Sequence, residues 1–118
     1  MDDDYEIRLA LRRMLEGAGH EVEEAADGEE GLRYYRIKPA DLVIIDILMP
    51  GGEGLSTIRE IRREFPDARM IAMSGGEMSA DVGFLHLAVE LGAVLTLAKP
   101  FALAQMRQAV EDVLRKDL

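Results

Sequence analysis

The run Leu42-Val43-Ile44-Ile45, opened by Asp41 and closed by Asp46, has no polar face. Four apolar residues in succession, hemmed in by turn-forming aspartates, predict a strand covered on both sides, as in the centre of a parallel sheet. Two similar runs lie further along. Met70 to Met73 ends in Ser74-Gly75-Gly76, which is turn chemistry, and Ala93 to Ala98 ends in Lys99-Pro100. The chain between and around these runs has helical spacing. Ile7, Leu11, Met14, Leu15 and Ala18 recur on one side of a helix from Tyr5 to Glu16, with arginines on the other side and Gly17 and Gly19 as a stop. Asp27, followed by Glu30, has the form of an N-cap with a glutamate reaching back, and opens a helix that stops before Pro39. Beyond Met49-Pro50-Gly51-Gly52, the positions Leu55, Ile58, Ile61 and Phe65 form a stripe that Pro66 closes. A helix over 81–91 ends at Gly92, and Leu103, Met106, Val110, Val113 and Leu114 mark a last amphipathic helix.

The segment His20 to Ala25 has Val22 as its one large aliphatic residue and reads as a half-exposed edge strand. Strands alternating with helices require right-handed crossovers, so the class is parallel α/β with helices on both faces. In such sheets the chemistry lies beyond the carboxyl ends of the strands.

The composition excludes several functions. A chain of 118 residues suffices for one core, so residues 1–118 are read as a single domain with no output domain. Fourteen basic against 23 acidic side chains leave a net charge of −9, which repels nucleic acid and anionic membranes. No cysteine is present, which removes disulfides, thiolate metal sites and a cysteine nucleophile, and fits the cytoplasm. The start Met1-Asp2-Asp3-Asp4 is the opposite of a signal peptide, and no apolar run reaches the roughly 20 residues that span a bilayer.

The residues at the ends of the apolar runs form a pattern. Asp46 closes the first, Ser74 the second and Lys99 the third, while Asp2-Asp3-Asp4 immediately precedes the first helix, so all fall at one edge of the sheet. Carboxylates gathered there repel one another, and a divalent cation removes that cost. Hard oxygen ligands with room for water suit Mg²⁺, which in turn shields an incoming phosphoryl group. Lys99 would then meet one phosphoryl oxygen as a point charge and Ser74 another as a hydrogen-bond donor, with Asp46 the nucleophile that forms an acyl phosphate.

Each residue also has a plainer reading. Asp46 and Ser74-Gly75-Gly76 suit turns, Lys99 before proline suits a solvated loop, and the acidic triplet suits the positive end of a helix dipole. His20 and His86 are read as exposed surface without a role, and Glu23-Glu24 and Glu29-Glu30 as solvated faces. Met14, Met70, Met73 and Met106 fall on core stripes. Phe84, Leu85, Leu87, Ala88 and Leu91 are apolar on more than one face, and the outer side of that helix reads as a contact surface for a second copy or an effector.

Taken together, the acidic pair at the start, Leu42 to Asp46, Met49-Pro50 with Gly54, Ser74-Gly75 and Lys99-Pro100-Phe101 resemble a response-regulator receiver domain of two-component signalling, over essentially the whole chain. The resemblance implies a flavodoxin-like, doubly wound (βα)5 sheet. It implies that Asp46 accepts a phosphoryl group from a histidine kinase or histidine phosphotransfer protein. It further implies that Asp3, Asp46 and the Leu48 backbone carbonyl bind Mg²⁺ directly, with Asp2 acting through water. By the same resemblance Ser74 and Lys99 read the phosphoryl group, the Lys99-Pro100 bond is cis, and a downstream protein is the effector. Such a domain is a switch and not a turnover enzyme, catalysing only its own phosphotransfer and dephosphorylation.

Two departures from the family pattern stand out. Thr96 occupies a switch position, three residues before the lysine, where the family usually has Phe or Tyr; a hydroxyl exchanges partners but does not move about 150 Å² of apolar ring. Moreover, the family's first strand, between the segments 20–25 and 42–46, is represented by Met1 alone, which leaves about four strands and five helices. A chain that begins upstream of Met1 is the favoured remedy; the others are closure of the gap by its neighbours, and strands supplied or exchanged in a swapped dimer. The alternative functions are a non-phosphorylated pseudo-receiver module, a small aspartyl-phosphate phosphatase or phosphotransferase, and a flavodoxin-like cofactor binder. The phosphatase lacks a general acid near Asp46, and a flavin would find no Trp to stack on.

Overall fold

A computed structural model describes residues 1–47, 53–74 and 82–115. The turn 49–52, the Leu48 carbonyl and Gly75-Gly76 lie outside the described residues, as do the side chains of Phe84 and Leu85. In chain order the elements are α1 (Tyr5–Gly17), α2 (Gly28–Ile37), β1 (Val43–Asp46), α3 (Glu53–Glu64), β2 (Met70–Ser74), α4 (Val82–Leu91), β3 (Leu95–Ala98) and α5 (Leu103–Arg115).

The caps follow from local chemistry. Asp4 accepts from the Glu6 and Ile7 amides at 2.9 and 3.4 Å and so starts α1. Asp27 accepts from the Glu30 amide at 2.8 Å, and the Glu30 carboxylate reaches back to the Ala26 amide at 3.2 Å, so two end donors of α2 are satisfied reciprocally. Gly92 ends α4 with φ +134°, a value that side-chain-bearing residues rarely adopt.

The three described strands are parallel in the order β1-β2-β3, with Val43 opposite Met70 and Ile71 opposite Leu95. Successive residues of β2 serve opposite faces. Met70 and Ala72 join Ile45, Ile58 and Ile61 in one core layer, whereas Ile71 and Met73 join Leu11, Met106, Val110 and Val113 in the other. This is the expected sandwich.

Two expectations need correction. The segment 20–25 forms no strand, and β1 is an outer strand of the described sheet where a central one was expected. The cause is the same for both. Between them lies only Met1, whose amino group donates to the Ile44 carbonyl at 2.7 Å and whose carbonyl accepts from the Asp46 amide at 2.9 Å, while the Asp2 amide donates to the Ala25 carbonyl at 3.1 Å. One residue of ladder does not hold a second strand in register. Burial pushes the Met1 α-amino group down to about 6 from its ordinary 8.0.

Gly54 lies at the start of α3 where a Cβ would overlap the Asp46 carbonyl oxygen and the Ile47 Cα, both of them backbone. Gly54→Ala is therefore expected to destabilise the fold by about 2 to 3 kcal/mol, read as a lower urea midpoint at unchanged slope. A midpoint equal to that of the wild type would show that the α3 start gives way freely.

Candidate functional site

The carboxyl ends of β1 and β2 bring Asp46 and Ser74 to one edge, and the chain leaving β3 adds Lys99. Asp46 is 5% and Asp2 1% exposed. Carboxylates so deeply placed need a counter-charge, because an ion removed from water loses several kcal/mol of solvation. Lys99 supplies it. Its Nζ donates to Asp2 Oδ2 at 2.8 Å and to Asp46 Oδ2 at 3.1 Å. Burial lowers the lysine pKa, but the hydrogen bond and charge of Asp2 and then the charge of Asp46 outweigh it, and the net shift is upward.

The acidic triplet divides its labour. Asp4 caps α1, Asp2 is buried against Lys99 and accepts from the Asp4 amide at 2.9 Å, and Asp3 stays exposed. Carboxylate oxygens of Asp2, Asp3 and Asp46 lie within 4.8 Å of one another, so these three could hold a metal ion. Two carboxylates that are buried and one that faces water are a donor set of hard oxygens with room for retained water, which fits Mg²⁺.

Ser74 is fully buried, and its Oγ has no hydrogen-bond partner among the described residues. Burying such a hydroxyl without a partner costs about 1 to 3 kcal/mol, which an incoming acceptor oxygen would offset. Its carbonyl accepts from the Lys99 amide, so the backbones of the two residues are tied together. The Lys99-Pro100 bond is cis, as the resemblance implied. Thr96 is half-buried on β3, opposite Ala72.

Arg8 is a residue beside the site that sequence reasoning misses. Helical spacing puts it on the solvent side of the first helix, yet its guanidinium donates to the Asp2 carbonyl at 2.7 Å and to Glu24 at 3.2 Å. Glu24, read as solvated, is held by Arg8 and by Arg12 at 2.6 Å, and hydrogen bonding from Arg12 in particular holds its carboxyl below the usual range. These ion pairs strap the segment 20–25 to α1 beside the site. No sequence pattern flags them, because Arg8 and Glu24 are separated by most of a helix and the turn beyond it. His20 is half-buried, and His86 is exposed and pairs with Glu90.

The family model for the response regulator receiver domain matches residues 1–111. The chain belongs to that family. A probable transcriptional regulator, ycf27, of Cyanophora paradoxa is 33% identical over 116 residues, which cover 98% of this receiver domain and 47% of that protein. The receiver domain of NtrX from Brucella abortus superposes with a TM-score of 0.88 at 27% identity, covering 97% of this chain and 94% of that one. A response regulator from Thermotoga maritima gives 0.86 at 31% identity, covering 98% and 93%. The chain thus spans about half the length of the curated relative. The flavodoxin-like class expected from the sequence holds, with three parallel strands and five helices among the described residues. Receiver domains bind Mg²⁺ at an acidic pocket and are regulated by sensor kinases. No helix among the described residues of this receiver domain is long and apolar enough to cross a membrane.

Proposed function

We propose that this receiver domain is a phosphoacceptor switch in which Asp46 takes a phosphoryl group from the phosphohistidine of a histidine kinase or phosphotransfer protein. The observation that carries the reading is the Lys99 ammonium set between the buried Asp2 and Asp46 carboxylates, with the buried Ser74 hydroxyl left without a partner among the described residues. A carboxylate oxygen of Asp46 attacks phosphorus and forms an acyl phosphate; the phosphorus–nitrogen bond to the donor imidazole breaks, and the imidazole leaves with a proton. Asp3, Asp46 and the Leu48 carbonyl would hold Mg²⁺ directly and Asp2 through water. When bound, the ion neutralises the carboxylates and shields the incoming phosphoryl charge.

Lys99 is already within reach of Asp46, so its ammonium stays at hand for an oxygen of the new phosphoryl group without a large rearrangement. Ser74 donates to another oxygen, which cancels its desolvation cost. The protein is altered by this reaction and does not turn over a separate substrate, and its only catalysis is of its own phosphotransfer and dephosphorylation. The cysteine-free composition suits the cytoplasm.

Incubation with a small phosphodonor followed by intact mass spectrometry tests the reading. One phosphoryl group is expected with Mg²⁺ and none with a chelator; a folded protein that stays unmodified in Mg²⁺ would be a pseudo-receiver.

The signal leaves by protein contact. Leu87, Val89 and Val94 are 39, 47 and 43% exposed, which leaves apolar surface at α4 and the start of β3 for an effector or a second copy. With Thr96 in place of a ring, phosphorylation changes this surface only modestly. Light scattering at high micromolar concentration is expected to show self-association that Leu87→Glu weakens at least several-fold. A strictly monomeric phosphorylated protein would exclude the second copy as its partner.

A further inference from the structure

Every polar atom of Asp2 has a partner, and one of those partners comes from outside the site. The Asp2 amide donates to the Ala25 carbonyl at 3.1 Å, while Oδ1 accepts from the Asp4 amide at 2.9 Å and Oδ2 from Lys99 at 2.8 Å. The Asp2 carbonyl accepts from the Arg8 guanidinium at 2.7 Å. That oxygen belongs to the peptide that joins Asp2 to Asp3. A peptide group is planar, so a donor that holds its oxygen also fixes the direction in which the chain departs toward Asp3. Arg8 thus grips the link between a buried carboxylate and an exposed one, both of which have an oxygen within 4.8 Å of the other and of Asp46.

The guanidinium is itself held on several sides. The Arg8 amide donates to the Asp4 carbonyl at 3.1 Å, so the first turn of α1 sets where the side chain starts. Its Nε donates to Glu24 at 3.2 Å, and its Cζ lies 5.7 Å from the centroid of the Tyr5 ring, within cation–π range. The side chain is 17% exposed. A planar fork with fixed donors engages a carbonyl and a carboxylate at once, in one orientation. Charge alone gives Arg8 no use toward a metal, because a cation beside the site repels a second cation. What it supplies is position, since the groups that hold metal ligands in place set how tightly the metal binds.

We propose that Arg8 is a positioning residue for the Mg²⁺ site: by holding the Asp2–Asp3 peptide it keeps both carboxylates within reach of Asp46 and so sets the affinity for the cation. The inference rests on the reading of Asp2, Asp3 and Asp46 as that site. Because Arg8 acts through Asp2 and Asp3, its loss raises the Mg²⁺ concentration that phosphoryl transfer needs and leaves the rate at saturating Mg²⁺ nearly unchanged.

The test compares Arg8→Met with Arg12→Met in the 118-residue chain. Each removes one cation and one contact with Glu24, and only the first releases the Asp2 carbonyl. Loss of a nearby cation by itself strengthens Mg²⁺ binding, so a weaker affinity reports lost position and not altered charge. Titration calorimetry is expected to give a Mg²⁺ Kd about tenfold higher for Arg8→Met. For Arg12→Met it should equal the wild-type value or fall below it. Arg8→Lys, which restores a donor, should recover most of the affinity. Urea midpoints in a chelator should fall alike for Arg8→Met and Arg12→Met, since both lose an ion pair to Glu24. If Arg8→Met does not fold, Arg8→Gln, a milder change that also gives up the charged fork, supplies the same comparison. Wild-type affinity in the Arg8 variant would overturn the proposal. So would an equal weakening in Arg12→Met, which would assign the effect to the ion pairs around Glu24. A wild-type protein that binds no Mg²⁺ would refute the metal-site reading itself, and this inference with it.

Discussion

Asp46→Asn is expected to abolish the Mg²⁺-dependent gain of a phosphoryl group while leaving the fold intact. The amide has the carboxylate's shape but no negative charge, so it is a poor nucleophile toward phosphorus and a poor ligand for a hard cation. Stability should hardly change, because Lys99 keeps its 2.8 Å contact with Asp2, and the side-chain carbonyl of the substituted amide still accepts from the same ammonium. The measurement is intact mass together with a urea denaturation curve. Undiminished modification of Asp46→Asn would place the acceptor on another carboxylate, with Asp2 and Asp3 the nearest candidates.

Lys99→Ala should have the largest effect on stability. In metal-free protein it leaves the Asp2 and Asp46 carboxylates, 1% and 5% exposed, facing each other without this cation. Breaking a buried pair by removing one partner costs about 3 to 5 kcal/mol, a large share of a typical domain stability of roughly 5 to 15 kcal/mol. Mg²⁺ should restore part of that loss, because it binds the folded state through the same carboxylates. The double variant Asp46→Asn with Lys99→Ala should be more stable than Lys99→Ala alone, since one of the stranded charges is gone. A Lys99→Ala midpoint equal to that of the wild type in a chelator would show that Lys99 does not carry the counter-charge.

Much of the frame was legible in the chain itself. The three apolar runs marked β1, β2 and β3; β1 and β2 are largely buried, as expected of strands covered on both sides, whereas β3 carries Thr96 and is only partly buried. Asp27 with Glu30, Gly92 and Pro66 fixed helix limits, because capping depends on neighbours a few residues away. The edge that gathers Asp46, Ser74 and Lys99 followed from parallel strand order, which puts every strand's carboxyl end on one side.

The edge strand expected at 20–25 did not form, and β1 became an outer strand. Propensity describes what a segment tolerates, whereas a strand exists only if a partner's backbone lies alongside it. Glu24 and Arg8 look solvent-facing for a related reason: a charged residue reads the same in sequence whether water or an opposite charge surrounds it.

The order of residue types by itself determined the family, the parallel α/β class and the set of residues that meet at the site, since hydrophobic period, caps and motif spacing are local properties. Tertiary structure alone decided how the three aspartates share their work, which hydroxyl is buried without a partner among the described residues, and that Met1 hydrogen-bonds along the outer edge of β1. Lys99 lies 97 residues from Asp2 and 53 from Asp46, and nothing along the chain measures the distances of 2.8 and 3.1 Å between them. Charge pairing and burial fall off over a few ångströms of space, and only the packed fold sets those ångströms.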